Sequence, residues 1–416
     1  MKIGRPKTLY PVFFRPMIHY ALDAAMALEH SSVSLVVGRG EREFSEQCRA
    51  YAGLRIVRQE TPSGTGDALR AALGGLEEEG DVLVLYGDSV LLSAATVREL
   101  LRRHVESGAV CTVGAASMPD AAPAVYCFRV RDLSGALKTA ARRGPEGELD
   151  LGEVVAALAD AGAATAEYRI DDRFETMDIN DFHGLWRVEA ELQERFNRDL
   201  MLKGVALQDP RTTLIDPRCR IDREVRIEAG CTVINSVLGA GVRIENFCRI
   251  IDSEIGPESL LRQGTCVEKT RLGRDCRVGP YAHLRPGTIL QDDVWIGNFV
   301  EIKNATLGAG TRAVHQSYIG DAQIGRNVSI GGGFITCSSG GRPLKQRTTI
   351  EDDVFIGAAS QAIAPVTLGA RSFVATGTSV TDDAPADSFV ISRNRQVTRP
   401  ALAKKHGGPK GPDASR

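Results

Sequence analysis

The sequence predicts a protein of two parts, an α/β domain followed by a parallel β-helix of hexapeptide repeats. From about residue 220 to residue 381, the chain returns again and again to an aliphatic residue followed by glycine. One set of aliphatic positions recurs every 17 or 18 residues: Leu238, Ile255, Leu272, Leu290, Leu307 and Ile324. Three hexads therefore close one triangular coil, and successive coils stack on one another.

The first half of the chain has a different pattern, in which short apolar runs alternate with helical stretches. The apolar runs are 33–37, 54–57, 82–86, 109–113 and 124–130, and the helical stretches include 67–79 and 94–104. This alternation is typical of a parallel α/β sheet, which binds ligands beyond the carboxyl ends of its strands. We expect an α/β domain over 1–200, the β-helix over 201–395 and a disordered tail over 396–416, which is rich in Gly, Pro and Lys.

The composition excludes several classes of partner. The 51 basic and 53 acidic residues leave a net charge of −2, which offers no electrostatic footprint for nucleic acid or an anionic membrane. No apolar run approaches the ~20 residues that span a membrane, and the first residues lack the apolar stretch of a signal peptide. We therefore expect a cytoplasmic protein that binds small molecules.

The cysteines indicate structural rather than redox or metal-binding roles. The chain has nine cysteines, an odd number, with no Cys-x-x-Cys motif and no clustered histidines, so neither a disulfide framework nor a zinc site is indicated. Cys231, Cys248 and Cys266 follow the coil period, 17 and then 18 residues apart. We expect them to be small buried rungs of the β-helix.

Two segments of the first half could bind phosphates or metal. Segment 59–68 is a glycine-containing loop that enters a helix, whose amides could meet an anionic ligand, although a plain turn would look the same. Asp88 follows the strand 82–86, where a carboxylate could hold a divalent metal or simply cap a helix. Asn180 could be its partner ligand or the N-cap of the next helix.

These segments together resemble the GlmU family of bifunctional N-acetylglucosamine-1-phosphate uridylyltransferases and glucosamine-1-phosphate acetyltransferases. The resemblance is closest over about 276–396, in CRVGPYAHLRPGTIL, EDDVFIGAASQAIAPVTLG and VISRNRQ. It is thinner in the first half, where it rests on Pro6-Lys7, Gln59 with Gly64-Thr65-Gly66, Tyr86-Gly87-Asp88 and Asn180. The resemblance implies that the β-helix is left-handed and that the protein is a homotrimer.

The first half departs from the family in two places. The family has a strand and a phosphate-binding loop, L-A-A-G-x-G-T-x-M, before its Pro-Lys, whereas this sequence opens at Pro6-Lys7, which a wrongly assigned start codon would explain. The family also has several tens of residues with uracil and sugar contacts where this chain has only ASMPDAAP. The resemblance therefore implies a reduced, Rossmann-like domain of the nucleotidyltransferase type, which we expect to have lost uridylyl transfer. If it is active, the resemblance assigns the nucleotide to Lys7, Gln59, Gly64 and Thr65, and Mg²⁺ to Asp88 and Asn180.

The resemblance places an acetyl-transfer site on the β-helix. It implies that His315 is the general base, because an imidazole can take a proton from an attacking amine near neutral pH. Glu301 would orient the imidazole. Arg285 and Lys303 lie about one coil apart and would bind the phosphate of the sugar, and Tyr318 would donate a hydrogen bond to the sugar or its phosphate.

Other positions would contact acetyl-CoA or the acceptor. Acetyl-CoA would lie along the coils of the adjacent subunit, with Lys345 and Arg393 near its phosphates, although either could be an ordinary surface charge. Three positions differ from the family: Ser338-Ser339 replaces Asn-Tyr, Ser329 replaces Asn, and Ala358 replaces Ser. These differences concern the identity of the acceptor more than the type of reaction.

We therefore expect acetyl-CoA-dependent N-acetylation of an amino-sugar phosphate, with glucosamine 1-phosphate as the first candidate. A first alternative is a bifunctional enzyme that also transfers a uridylyl group from UTP to N-acetylglucosamine 1-phosphate. A second alternative is a trimeric scaffold or sugar-nucleotide sensor without catalytic activity. An assay of acetyl-CoA binding separates the scaffold from the enzymes.

Overall fold

The computed structural model describes residues 4–38, 40–61, 63–117, 123–142, 147–338, 346–392, 396–400 and 402. The chain divides into two compact units, Met1–Phe196 and Asn197–Arg416. Each unit is described separately below.

The first unit is an α/β domain. Its strands are β1 (Pro11–Val12), β2 (Arg15–Pro16), β3 (Val33–Val37), β4 (Leu54–Arg58), β5 (Asp81–Leu85), β6 (Cys111–Ala116), β7 (Pro123–Arg129) and β8 (Thr165–Ile170). Its helices are α1 (Ile18–Met26), α2 (Glu41–Gln47), α3 (Thr65–Ala72), α4 (Ala94–Ser107), α5 (Val130–Thr139), α6 (Leu151–Asp160) and the larger part of α7 (Phe182–Leu202), with 3₁₀ turns at Lys7–Leu9 and Leu73–Gly75.

The strands of this unit form separate sheets rather than one parallel sheet. β3 and β4 are parallel neighbours, and a four-stranded sheet has the order β5-β7-β6-β8. Only β6 and β8 are parallel in the four-stranded sheet, since β7 runs antiparallel to both β5 and β6. The expected α/β class is confirmed, but the expectation of a parallel sheet was wrong for the four-stranded sheet, which is mixed. The reason is the connection 117–122, which is only long enough to join β6 and β7 as antiparallel neighbours.

Helices cover both faces of the four-stranded sheet. One buried cluster includes Phe128, Leu133, Leu149 and Val154, and a second includes Leu100, Val125 and Cys127. Alternate residues of β7 supply the two clusters, because successive side chains of a strand point to opposite faces.

The second unit consists of short strands in regular succession. They are β9 (Ala206–Leu207), β10 (Leu214–Ile215), β11 (Arg220–Ile221), β12 (Arg226–Ile227), β13 (Thr232–Ile234), β14 (Val237–Leu238), β15 (Arg243–Ile244), β16 (Arg249–Ile251), β17 (Glu254–Ile255), β18 (Leu260–Leu261), β19 (Cys266–Glu268), β20 (Arg271–Leu272), β21 (Arg277–Val278), β22 (His283–Leu284), β23 (Ile289–Leu290), β24 (Trp295–Leu307), β25 (Arg312–Ile324), β26 (Ser329–Ile330), β27 (Ile335–Cys337), β28 (Thr348–Ile350), β29 (Phe355–Ile356), β30 (Gln361–Ile363), β31 (Val366–Leu368), β32 (Phe373–Val374), β33 (Ser379–Val380) and β34 (Phe389–Val390).

These strands build a left-handed parallel β-helix, which confirms the predicted fold class. Each strand pairs in parallel with the strand one coil later, as Leu238 pairs with Ile255 and Leu272 pairs with Leu290. The two long strands β24 and β25 each run through all three faces of their coil. The first, second and third faces are defined here by Trp295, Glu301 and Thr306 of β24 and the residues stacked on them. The aliphatic residues of the 17- or 18-residue repeat are buried.

The corner between the second and third faces, called the second corner, contains residues in the left-handed backbone region. Asn235, Asp252, Lys269, Asn304 and Asp321 have φ between 43° and 50°. Asn and Asp tolerate this conformation because their side chains form local hydrogen bonds. At two places they bond from coil to coil, from Asn235 to Asp252 at 2.6 Å and from Asn304 to Asp321 at 2.7 Å.

The three cysteines expected to be buried rungs do not all occupy the same position. Cys231 and Cys248 are buried, as expected. Cys266 is half-exposed, and it pairs with Arg249 rather than with Cys248. The expectation was therefore wrong for Cys266, because a shift of one residue along a strand moves a side chain from the inside to the outside.

Candidate active site

A basic pair lies on the second face of the β-helix. Leu284 pairs with Ile302, so Arg285 and Lys303, which follow them, occupy equivalent positions on consecutive coils. The next coil has Gly320 at this position. Two cationic side chains about 5 Å apart along a stack of strands can share one phosphate group.

Gly320 leaves room for the ring of Tyr318. A Cβ atom placed on Gly320 would lie only 2.5 Å from the hydroxyl oxygen of Tyr318. The tyrosine hydroxyl therefore lies over Gly320, in the row that Arg285 and Lys303 begin. Two cations and one hydroxyl thus occupy three successive coils in one row.

His315 lies at the corner between the first and second faces, called the first corner. It pairs with Asn298 of the preceding coil, and its side chain is exposed. On the following coil, a Cβ atom on Gly332 would approach the Cβ of His315 to 3.1 Å. Glycine at that position keeps the next coil from covering the imidazole. Within the described ranges, the ring forms no hydrogen bond, so both nitrogens are open to a ligand.

Glu301 contacts Arg285 and not His315. The Nη1 of Arg285 donates a hydrogen bond of 2.6 Å to Oε1 of Glu301, and this bond raises the pKa of the arginine. Glu301 pairs with Tyr318 on the second face, whereas His315 lies three residues earlier along its strand, at the first corner. In the described part of the chain, the expected orienting contact from Glu301 to His315 is therefore absent.

Ser338 is part of the second corner and its hydroxyl points at a buried acid. Its Oγ donates a hydrogen bond of 2.9 Å to Oδ2 of Asp321, whose other oxygen accepts from Asn304. Ser338 and Asp321 are each only 7% exposed. The hydroxyl thus stabilises a buried carboxylate rather than facing solvent, a relationship that the sequence comparison with the family did not reveal.

The other residues expected at the acetyl-transfer site do not share the face of Arg285, Lys303 and Tyr318, or lie outside the described residues. Ser329 lies on the first face, where it pairs with Arg312 and Phe355, and so belongs to a different face from Tyr318. Ala358 lies at the first corner, beside Gly331, two coils beyond the turn that holds His315. Ser339, Lys345 and Arg393 lie outside the described residues.

In the first unit, three predicted residues converge on one point. The Nζ of Lys7 lies 2.6 Å from Oδ2 of Asp88 and 3.2 Å from Oδ1 of Asn180. Asp178 lies nearby, and its pKa is raised, first by burial and then by the charge of Asp88, with Lys7 acting in the opposite sense. Oxygen atoms of Asp88 and Asn180, which lie far apart in the sequence, thus surround one cation position. This position suits a divalent ion as well as an ammonium group.

The glycine loop of segment 59–68 is held by the backbone of a neighbouring segment. The amide of Gly66 donates to the carbonyl of Leu149 at 2.7 Å, and Oγ1 of Thr65 accepts from the amide of Leu151. The side chain of Gln59 donates to the carbonyl of Gly64 at 3.3 Å. The amide of Gly66 is therefore engaged within the protein, as in the plain turn that the sequence also allowed at this segment.

One group of potential metal ligands was missed in the sequence. Cys266, Glu268 and His283 lie on two adjacent coils, and one ligand atom from each lies within 4.8 Å of the others. The three residues are half-buried. No sequence motif identifies them, because His283 joins the other two only through the stacking of Cys266 on His283. A list of spacings along the chain cannot find a site of this kind.

Models of three protein families match this chain. The MobA-like NTP transferase domain matches residues 1–160, the C-terminal domain of GMPPB matches 211–319, and the hexapeptide repeat of succinyl-transferase matches 347–382. The first of these matches spans the domain that was expected to have lost nucleotidyl transfer, so that expected loss is not supported. In the part of the chain that the structure describes, every helix is too short or too polar to cross a membrane.

Several relatives match almost the whole chain, and all are named bifunctional protein GlmU. The protein of Pelobacter propionicus is 38% identical over 96% of this chain and 94% of its own length. The proteins of Trichlorobacter lovleyi and Herminiimonas arsenicoxydans are 35% and 33% identical and cover 98% and 97% of this chain. The Pelobacter alignment has 434 positions, whereas 96% of 416 residues is about 400. The relative therefore has about 35 residues within the aligned region that this chain lacks.

The β-helix fold agrees with the resemblance seen in the sequence. The matched domain models agree with it too, as do the relatives that match nearly the full length. This chain belongs to the GlmU family.

Proposed function

We propose that the β-helix transfers the acetyl group of acetyl-CoA to the amino group of an amino-sugar phosphate, with glucosamine 1-phosphate as the first candidate. The observation that carries this proposal is the row formed by Arg285, Lys303 and the hydroxyl of Tyr318 on the second face, with the exposed His315 at the adjoining first corner. The names of the relatives support it, since they describe a bifunctional protein of this family.

In the proposed reaction, the amine nitrogen attacks the carbonyl carbon of the thioester. The N–C bond forms, the C–S bond breaks and the sulfur leaves as the thiolate of CoA. His315 accepts the proton that the amine must lose, because an imidazole has a basicity suited to proton transfer near neutral pH. The exposed ring nitrogens and the glycine at position 332 give the substrate access to the base.

The row of cations would hold the phosphate of the acceptor. Arg285 can offer two N–H groups in a fixed fork, and Lys303 adds a second positive charge one coil further on. Glu301 already holds one N–H of Arg285, which leaves the rest of the guanidinium for the phosphate. We infer that Glu301 positions Arg285, in place of the role beside His315 that the sequence suggested.

The identity of the acceptor is tested directly with a panel of amino sugars. Purified protein is incubated with acetyl-CoA and with glucosamine 1-phosphate, glucosamine 6-phosphate, galactosamine 1-phosphate or glucosamine, and the release of free CoA thiol is measured. We expect release with a phosphorylated amino sugar and little with unphosphorylated glucosamine. Release that does not depend on the phosphate would contradict the role of the Arg285 row.

We propose further that the protein is a homotrimer whose subunits share each acetyl-transfer site. The side chains of Arg285 and Glu301 are 37% and 39% exposed in one chain, so a single β-helix supplies only one wall around the substrate. Cyclic symmetry is the usual way to close such shared grooves. Light scattering at micromolar concentration should give three times the chain mass of 44.8 kDa, and a monomer mass would contradict the shared site.

A second candidate function, nucleotidyl transfer by the first unit, is favoured by the convergence of Lys7, Asp88 and Asn180. Asp88 and Asn180 would hold Mg²⁺, which supplies charge neutralisation to the phosphates when it is bound. Lys7 would then bind a phosphate oxygen instead of Asp88. The short connection between β6 and β7 lies where the resemblance places contacts to uracil and sugar, so the base and sugar preferences are expected to differ from those of the family.

Release of pyrophosphate tests this second function. The protein is incubated with Mg²⁺, each of several nucleoside triphosphates and N-acetylglucosamine 1-phosphate or glucose 1-phosphate. If the unit is active, Asp88→Asn should abolish the release, and Asp171→Asn, at an exposed position away from the cluster, should leave it unchanged. An equal rate in the Asp88→Asn variant would exclude this cluster as the site.

A further inference from the structure

The second face of the β-helix carries a cysteine, a glutamate and a histidine that the proposed acetyl-transfer site does not use. Cys266 and Glu268 belong to β19, and His283 begins β22 on the next coil. One ligand atom from each of the three side chains lies within 4.8 Å of the other two. Thiolate, carboxylate and imidazole are the side-chain groups that bind zinc in proteins.

The backbone of the β-helix fixes the directions of these side chains. Val267, between Cys266 and Glu268, is fully buried. Because successive side chains of a strand point to opposite sides, Cys266 and Glu268 both point outward. His283 pairs with Cys266, and adjacent strands lie about 4.8 Å apart, so the imidazole lies beside the thiol. The three groups therefore meet on the outer surface of two stacked coils, not on a loop.

The distances between the ligand atoms suit a small cation. The Sγ of Cys266 lies 3.9 Å from Oε1 of Glu268. With metal–ligand bonds of about 2.0–2.3 Å, two ligand atoms of a tetrahedral site are about 3.4–3.6 Å apart. The sulfur and the oxygen thus lie close to the spacing of bound ligands already. The imidazole nitrogen, within 4.8 Å of both, needs to approach by about 1 Å, which a small rotation of the side chain provides.

The potential ligand atoms are little engaged by other groups. Within the stretches that the structure describes, the imidazole of His283 forms no hydrogen bond, and the carboxylate of Glu268 accepts only from the thiol of Cys266. Arg285 occupies the position equivalent to Glu268 on the next coil, since Val267 pairs with Leu284. Its guanidinium, however, is bonded at 2.6 Å to Glu301, one coil further on. The carboxylate of Glu268 thus remains available to a cation.

We propose that Cys266, Glu268 and His283 form a binding site for one zinc-like divalent cation. The ligands are a thiolate sulfur, a carboxylate oxygen and an imidazole nitrogen, with a water molecule as the fourth. The thiol releases its proton to solvent when the metal–sulfur bond forms. The sulfur excludes Mg²⁺ and Ca²⁺ as the preferred ion, because these hard cations take oxygen ligands.

This site is separate from the other sites proposed for the protein. It shares no residue with the acetyl-transfer site, so the two proposals can fail independently. It also differs in chemistry from the cluster of Asp88 and Asn180 in the first unit, which offers oxygen atoms alone to a metal. A spectroscopic signal that requires sulfur therefore reports on the β-helix site.

Cobalt(II) gives such a signal, because a cobalt–thiolate bond has a charge-transfer band in the near ultraviolet. The purified full chain is freed of metal with a chelator, kept reduced with a phosphine instead of a thiol, and titrated with cobalt chloride. We expect the band to saturate at one cobalt ion per chain and to disappear when zinc is added. The absence of a band, or a band that excess zinc does not remove, would overturn the proposal.

Single substitutions assign the ligands. Cys266→Ser should remove the band, and His283→Ala and Glu268→Gln should each weaken cobalt binding at least about tenfold. Cys337→Ser, which alters another half-buried thiol of the β-helix, is the matched control and should leave the band unchanged. A band that persists in Cys266→Ser, or an unchanged affinity in His283→Ala, would overturn the assignment.

Thermal unfolding provides a readout that does not depend on cobalt spectroscopy. Zinc should raise the unfolding temperature of the parent protein and of Cys337→Ser by a few degrees more than that of Cys266→Ser, because a bound ion stabilises the folded state. Circular dichroism of the metal-free Cys266→Ser variant should match that of the parent, so that a lost band reflects a lost ligand and not a lost fold. An equal rise in the parent and in Cys266→Ser would contradict binding at this site.

Discussion

Arg285 and Glu301 are joined across consecutive coils by a hydrogen bond of 2.6 Å. This bond draws the guanidinium of Arg285 toward the next coil, which also carries Lys303. It also neutralises Glu301, which lies two residues before Lys303 and whose free carboxylate would repel the proposed phosphate. In the proposed reaction, the ion pair thus separates two roles, phosphate binding by Arg285 and proton transfer by His315.

Replacement of Glu301 by Gln tests this separation. If Glu301 positions Arg285, Glu301→Gln should raise KM for the sugar phosphate by about 1.5–5-fold with kcat unchanged, since an exposed ion pair is worth only ~0.2–1 kcal/mol and the amide keeps part of the contact. The pH dependence of kcat should not move. Glu254→Gln, which breaks a similar coil-to-coil pair with Arg271 on the third face, is the control and should change neither constant. A shift of the pH profile would indicate that Glu301 acts on the imidazole of His315 and would contradict its role in positioning Arg285.

Replacement of Gly320 by Ala tests the position of Tyr318. Because the added Cβ would meet the tyrosine hydroxyl at 2.5 Å, Gly320→Ala should displace that hydroxyl and raise KM for the acceptor about as much as Tyr318→Phe does. The double variant should then be hardly worse than either single one, because both changes remove the same contact. Fully additive effects would mean that the hydroxyl of Tyr318 does not act from above Gly320.

Replacement of Ser338 by Ala should affect stability more than catalysis. Ser338 donates to the buried carboxylate of Asp321, and loss of a donor to a buried charged group costs about 1–3 kcal/mol. Chemical denaturation should show this loss for the second unit, while kcat/KM for acetyl transfer stays within a few fold. Ser329→Ala, at an exposed position, is the control and should change stability little. A large fall in kcat/KM with unchanged stability would place the Ser338 hydroxyl at the substrate instead.

The pH dependence of stability tests the acidic cluster of the first unit. Much of the Asp178 residue is exposed, but partial desolvation of its carboxyl group first, and then the charge of Asp88, raise its pKa, so the folded state binds this proton slightly more tightly than the unfolded chain does. The associated stability is present at low pH and is lost as the pH rises through the folded-state pKa. Asp178→Asn should therefore raise the unfolding temperature at pH 7, and the gain should vanish below about pH 4, near the unfolded pKa of Asp.

Asp181 provides a matched control of opposite sign. Its pKa is lowered, chiefly by the hydrogen bond from the amide of Gly184, so its ionised form stabilises the folded state above the unfolded pKa. Asp181→Asn should lower the unfolding temperature at pH 7 and have less effect near pH 3. A fall in stability for both variants at pH 7 would contradict the environment assigned to Asp178.

The sequence predicted the β-helix well because its signal is one-dimensional. Each inward aliphatic residue, such as Leu238 or Ile255, recurs at a fixed spacing, so the order along the chain is also the order in space. The same logic correctly indicated that Arg285 and Lys303 occupy consecutive coils. It failed for Cys266, because an offset of one residue along a strand moves a side chain from the inside of the β-helix to the outside.

Other features depend on contacts that a spacing does not encode. The bond from Ser338 to Asp321, and that from Arg285 to Glu301, depend on which way side chains turn at a corner or on a face. In the first unit, the apolar runs of β3 and β5 predicted strands correctly, but the partner of each strand is a long-range property that the local pattern does not encode.

The most direct test of the central claim is the rate of acetyl transfer in the His315→Ala variant. With the best amino-sugar phosphate of the panel, kcat should fall by about 10²–10⁴, because only the acceptor of the amine proton is lost. Binding of acetyl-CoA and the oligomeric mass should be unchanged, and Gln316→Ala, at the neighbouring exposed position, should retain full activity. Acetyl transfer within a few fold of the parent rate in His315→Ala would contradict the account of this site.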